Sequence, residues 1–272
     1  MTWSIVAHDP ETGAFAVAVA TKAFAVGASC PFVRSGVGAV STQSFTNRYL
    51  APAILDALAR GLQPDAAIEA ALAGDAGRGI RQVHAVDRHG RTAAWTGQNC
   101  VTWCGSVAAP GVSVAGNMLA GERTIAATLE TWQAQPDLPV PERLMAAMEA
   151  GEAAGGDRRG RQSAAMKLIT TEDFPDLDLR VDDHQQPLTQ LRRLWTSGAA
   201  NGRPDWQRHR ARPIRRASSI STRSRPAGWC AAWTCGFGAD TRVDMPLPAS
   251  GDSAALPAWQ AALPGNRFII TG

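Results

Sequence analysis

Apolar and polar residues alternate from the start of the chain, with Trp3, Ile5 and Ala7 on one side and Ser4, Val6 and His8 on the other. A repeat of two is the period of a sheet. Asp9-Pro10-Glu11-Thr12-Gly13 has turn composition. Ala14 to Ala20 (AFAVAVA) then reads as a strand buried on both faces, with Phe15, Val17 and Val19 on one side. The pattern predicts an opening hairpin whose first residue is Thr2. Phe24 to Val40 is rich in small residues and ends in a strand, directly followed by the polar cluster Ser41-Thr42-Gln43-Ser44-Phe45-Thr46-Asn47. Such a cluster lines a pocket or caps the next helix.

Helical spacing covers Ala51 to Arg60, with Pro52 near its start and Gly61 past its end, and Pro64 to Ala73, stopped by Gly74. Arg81 to Asp87 and Thr92 to Thr96 flank a turn at Arg88-His89-Gly90, a second hairpin. A strand over Val112 to Ala115 leads into Gly116-Asn117. Helices near Glu122 to Gln133 and Pro141 to Ala154 come next, then a Gly-rich basic stretch from Gly155 to Ser163 and a strand from Ala164 to Thr170. A short helix spans Leu188 to Trp195. Runs of strands separated by helix pairs predict a layered α+β domain, with the helix pairs outside and two stacked sheets inside.

From about Ser197 the pattern is lost. Arg203 to Arg225 holds eight Arg, no Lys and one Asp, with little Leu, Ile or Val to form a core. The segment fits a basic arm for nucleic acid, a disordered tail, or an out-of-frame translation of a GC-rich gene. The last is the favoured reading, since nothing in the rest of the chain asks for a nucleic-acid partner. The expected division is a domain over 1–195 and an irregular tail over 196–272.

Composition narrows the setting. The 272 residues are 45% hydrophobic, yet no apolar run approaches the ~20 residues of a membrane span. The start lacks a basic segment followed by an apolar one. Five cysteines, an odd number irregularly placed, do not form a disulfide framework. These features predict a reduced, cytoplasmic protein without membrane contact. A homo-oligomer is compatible with the sequence.

Candidate chemistry begins at Thr2. Removal of Met1 would give one residue both a hydroxyl and a free α-amine, whose ordinary pKa is about 7.7–8.0. A Thr activated by its own terminal amine is a known nucleophile, although many chains begin Met-Thr without such meaning. Lys22 follows the second strand, where its ammonium either influences the terminus or is simply solvated. Gly116-Asn117 offers a backbone N–H and an amide to an oxyanion, or is only a turn. Gly155 to Ser163 suits an anionic substrate group, but lacks the spacing of a phosphate-binding P-loop. Asp182, Asp183 and His184 are ligand types in a row, yet successive strand residues point to opposite faces, so they do not share one ion. Cys100 and Cys104 have no second pair for zinc, and Cys30 reads as a buried, inert thiol. No metal is expected.

MTWSIVAHDPETG, VAVATKAFAVGASCPFVRSGVGAVSTQ, RQVHAVDRHGRTAAWTG, GNMLAG, GGDRRGRQSAAM and LDLRVDDHQQPLTQLRRL, taken in order, resemble the bacterial family catalogued as domain of unknown function 1028. The resemblance extends from Thr2 to about Leu194. It implies the four-layer αββα sandwich of the N-terminal-nucleophile (Ntn) hydrolases, a superfamily that includes proteasome β-subunits and penicillin acylases. It further implies Thr2 as nucleophile with its own amine as base. Lys22 is similar in placement to the proteasomal lysine, and Asn117 or Gly116 would stabilise the oxyanion. Thr42, Gln43, Gly116, Asp157, Arg158, Asp182 and His184 are the expected substrate-binding residues. The implied activity is hydrolysis of a small non-peptide C–N bond without a cofactor. The alternative is a non-catalytic small-molecule-binding protein on the same fold.

Overall fold

The computed structural model describes residues 2–200. Met1 and the sequence from 201 onward, including the Arg-rich segment expected to be foreign to the domain, lie outside the described residues. The described chain forms ten strands and five α-helices. They are β1 (Thr2–Asp9), β2 (Ala14–Thr21), β3 (Pro31–Arg34), β4 (Gly38–Ser44), α1 (Leu50–Ala59), α2 (Pro64–Leu72), β5 (Arg81–Asp87) and β6 (Thr92–Thr96). There follow β7 (Gly105–Ala109), β8 (Val112–Asn117), α3 (Arg123–Ala134), α4 (Val140–Ala153), β9 (Ser163–Ile169), β10 (Leu177–Val181) and α5 (Pro187–Ala200).

The strands build two antiparallel sheets, one of six in the order β10-β9-β2-β1-β8-β7 and one of four in the order β3-β4-β5-β6. The two-residue period decides what each face touches. Trp3, Ile5 and Ala7 of β1, the alanines of β2 and Ala164, Met166 and Leu168 of β9 share one core with α3, α4 and α5. Val40, Val83 and Ala85 of the smaller sheet share another with α1 and α2. The remaining faces meet each other. Val6, Phe15, Val17, Ala39, Val86 and Ile169 fill one end of that contact.

The predicted hairpins and helices are present. Three strands went unpredicted: β3, β7 and β10. Each lies at a sheet edge and is at best half-buried over most of its length. Edge strands are fixed by main-chain pairing with one neighbour, and pairing leaves little trace in hydropathy. Two boundaries also move: β8 continues through Gly116 and Asn117 rather than ending before them, and α5 runs on to Ala200, past the expected helix end at Trp195.

Trp3 marks where β1 meets the helix layer. A Cβ on Gly151 of α4 would lie 2.2 Å from Thr128 Oγ1 and 2.9 Å from Trp3 Nε1, so glycine is what lets α4 close over the indole. Gly151→Ala should therefore lower stability by about 1–3 kcal/mol, the usual cost of overpacking. The midpoint of urea unfolding checks this, and an unchanged midpoint would mean that α3 and α4 part without cost.

Candidate active site

Antiparallel pairing gathers one set of strand ends at one end of the sheet stack. β1, β5 and β9 begin there, while β2, β4 and β8 finish there. β1 lies between β2 and β8, so Thr2 faces Asn117 on one side. On its other side, one step beyond the Trp3–Ala20 pair, is Thr21. Thr2 Oγ1 donates to Thr21 Oγ1 at 3.3 Å, and both residues are buried. Asn117 Nδ2 donates to the Thr2 carbonyl at 3.4 Å and to Gln82 Oε1 at 2.9 Å.

Beneath Thr2 the contact between the sheets is polar. Ser4 Oγ lies 2.9 Å from Ser41 Oγ, 2.8 Å from Gln43 Oε1 and 2.8 Å from His84 Nε2. His84 Nδ1 is 3.0 Å from Ser113 Oγ. Gln43 Nε2 donates to Gln82 Oε1 at 2.8 Å and to the Ala115 carbonyl at 3.1 Å. Gln82 Nε2 in turn reaches the Gly116 carbonyl (2.8 Å), Thr96 Oγ1 (2.9 Å) and the Gly105 carbonyl (3.2 Å). All of these side chains except the half-buried Thr96 are buried, and each is hydrogen-bonded, as polar groups removed from water must be. Burial pushes the His84 imidazole down to about 3, so it is neutral at ordinary pH.

On the helix side of the same end, Asp157 fastens the Gly-rich loop. Its carboxylate is fully buried and accepts from the Lys22 backbone N–H (2.7 Å), the Arg159 backbone N–H (2.9 Å) and the Arg159 guanidinium. Lys22 is exposed, and its ammonium donates to the Arg161 carbonyl at 3.2 Å. A cavity of about 540 Å³ is lined by Lys22, Arg161, Gln162, Asp183, His184 and their neighbours. A second, of about 510 Å³, shares Arg161 and Gln185 with it and adds Trp3, Glu152 and Arg158. Burial raises the Glu152 carboxyl above its ordinary value.

The remaining expected residues have local partners. Thr42 Oγ1 donates to the Asn47 carbonyl, and Asn47 Nδ2 donates to Asp75. Hydrogen bonds from Arg81 and Asn47 hold the Asp75 carboxyl well below the usual carboxylate range. Asp182 receives the Arg180 guanidinium, and Gly116 sits inside β8 opposite Trp3. Cys30 is buried, its thiol pushed up to about 11 by that burial. Among the described residues there is no cluster of three metal-ligating side chains, and no helix is long and apolar enough to cross a membrane.

The sequence reading passes over Ser4, Thr21, Gln82, His84 and Ser113, and singles out Ser41 only as part of the polar cluster that follows a strand. Gln82 and His84 are two apart on one strand, as are Ser41 and Gln43, so period two puts each pair on one face. That signal was available. What it lacked was the knowledge that these faces turn towards another sheet instead of towards water.

Residues 2–191 match the model of a family of unknown function, DUF1028. The chain belongs to the DUF1028 family. A crystal structure of a DUF1028 protein from Silicibacter pomeroyi is similar at 33% identity and a TM-score of 0.69, covering 76% of this chain and 88% of that one. A distant likeness, to Anbu (ancestral beta-subunit) from Yersinia bercovieri, has 11% identity and a TM-score of 0.33 over 73% of this chain and 95% of that one. At that level it defines neither fold nor function. No curated protein matches this DUF1028 chain.

The buried His84 gives the chain a pH signature. As pH falls below the ordinary imidazole value of 6.5, the unfolded chain takes up a proton that the folded chain accepts only near 3. Stability is then full above about 6.5 and is lost on acidification, with a slope of up to about 1.4 kcal/mol per pH unit from this one group. Urea unfolding between pH 7 and 4 should fall less steeply for His84→Gln than for wild type; equal slopes would contradict a buried neutral imidazole.

Proposed function

We propose that this DUF1028 chain is an amidohydrolase that cleaves a small non-peptide C–N bond, with Thr2 as an N-terminal nucleophile on a four-layer αββα sandwich of the Ntn type. The observation that carries the reading is the position of the Thr2 hydroxyl. It stands at the first residue of a central strand, 3.3 Å from Thr21 Oγ1, at the end of the sheets where the loops and both cavities gather. A nucleophile held on a strand has a defined approach to its substrate, and orientation of this kind removes a large part of a reaction barrier.

In this scheme removal of Met1 frees the Thr2 α-amine. The amine takes the Oγ proton as Oγ attacks the substrate carbonyl, and a tetrahedral oxyanion forms. The proton passes to the leaving nitrogen, the C–N bond breaks, and an ester on Thr2 remains. Water, deprotonated by the same amine, attacks the ester, and Oγ leaves with the proton returned to it. Asn117 steadies Thr2. Its longer hydrogen bond, 3.4 Å to the Thr2 carbonyl, is the one that can be redirected to the oxyanion.

Lys22, Arg158 and His184 are the groups offered to an anionic substituent. Gly116, Thr42, Gln43, Asp157 and Asp182 serve the site by fixing the strands and loops around it. The second reading, a non-catalytic small-molecule-binding protein on the same architecture, draws on the burial of Thr2.

Two measurements separate the readings. The intact mass of protein from its native host should correspond to a chain starting at Thr2; retention of Met1 blocks the amine and favours the binding protein. A β-lactone, which acylates a hydroxyl by ring opening, should add its mass at Thr2. Thr2→Ala should lower that acylation, and turnover of any amide substrate found, by on the order of 10³-fold or more while the fold persists.

A further inference from the structure

We infer that Gln82 is a positioning residue: its amide, buried between the two sheets, dictates which way the Asn117 amide faces and so holds the Thr2 main chain in place. The inference rests on the reading of Thr2 as the reacting residue. Some groups around Gln82 have a polarity beyond choice. The carbonyl oxygens of Gly116 and Gly105 only accept hydrogen bonds. They lie 2.8 and 3.2 Å from one end of the Gln82 side chain, so that end is the NH₂ group. The other end is then the oxygen, and it needs donors. It finds two, Asn117 at 2.9 Å and Gln43 at 2.8 Å.

Asn117 must therefore turn its NH₂ towards Gln82, and the second N–H of that group is the one that reaches the Thr2 carbonyl. A flipped Asn117 would set oxygen against oxygen at both contacts.

The same logic runs on into the sheet interface and fixes a proton that X-ray methods rarely show. Gln43 gives its NH₂ to Gln82 and to the Ala115 carbonyl, which leaves Gln43 Oε1 to accept from Ser4. Ser4 has one proton, and it is spent there. Ser4 Oγ must then accept from His84 Nε2, so the neutral imidazole carries its proton on Nε2 and accepts from Ser113 at Nδ1. Every hydrogen bond from Gly116 to Ser113 thus points one way: the Gly116 and Gly105 carbonyls orient Gln82, which turns Asn117, and the Ala115 carbonyl orients Gln43 in the same sense.

Two experiments on the full-length chain test this. In wild-type protein, ¹⁵N NMR of the His84 ring should show the Nε2–H tautomer near neutral pH; the Nδ1–H tautomer or an imidazolium would overturn the assigned direction. Kinetics of β-lactone acylation at Thr2 then compare wild type with Gln82→Glu, which keeps the length but loses the NH₂ donor, and with Gln82→Met, which loses both polar ends. Circular dichroism establishes which variants fold. A positioning role predicts that the maximal acylation rate of a folded variant falls by about tenfold or more while the half-saturating lactone concentration stays within about threefold, as misorientation without lost binding requires. A folded variant acylated at the wild-type rate would overturn the inference. If wild-type protein itself is not acylated, the hydrolase reading fails, and the His84 tautomer alone decides whether the network runs in the assigned direction. It decides in the same way if neither variant folds.

Discussion

A side-chain amide removed from water has to find acceptors for its N–H bonds and donors for its oxygen, and leaving any of them unmet costs about 1–3 kcal/mol. Three such amides, Gln43, Gln82 and Asn117, are buried together where the two sheets meet. Their demands are met only in one relative placement of the sheets. Gln82 belongs to β5, yet its partners are on β4, β6, β7 and β8. The apolar half of the same contact, around Val6, Phe15 and Val17, supplies cohesion without direction. Adhesion at one end and register at the other divide the interface, and Thr2 lies at the end that has register.

That division accounts for what the sequence made legible. The β1–β2 hairpin and the four helices α1 to α4 follow from local period and from Gly and Pro, and they stand where hydropathy predicts. Thr2 is also legible as the first residue of a strand. Its neighbours are not, because they are set by pairing across the chain. Thr21 lies nineteen residues away in sequence and Asn117 a hundred and fifteen. Lys22, adjacent to Thr21, drew attention by its charge; one residue further along, it leaves the strand and its ammonium turns to Arg161. Asp157 was legible as a functional acid in an unusual string, whereas its buried carboxylate fastens backbone N–H groups. Charge is conspicuous in a sequence, and buried amides are not.

Membership of DUF1028 places residues 2–191 in a family without an assigned reaction. The arrangement around Thr2 is therefore the firmer guide to chemistry. Its cavities lie against basic and amide side chains, while the space below the hydroxyl is already occupied by protein. On the proposed reading, a substrate would approach from the loop end, past Lys22 and the Gly-rich segment, or the loops themselves would yield.

Trp3 gives this arrangement one more property. Its indole is gripped on the helix side of the larger sheet, close enough that added Cβ atoms on Gly151 and Gly156 would lie 2.9 and 3.3 Å from it, while one on Gly116 would lie 3.0 Å from the Trp3 Cβ. The residue next to Thr2 is thus a large, buried anchor of the strand, on the face opposite the hydroxyl. A strand secured one residue downstream of its tip needs nothing upstream to hold it. Thr2 can become a chain terminus without becoming a loose end.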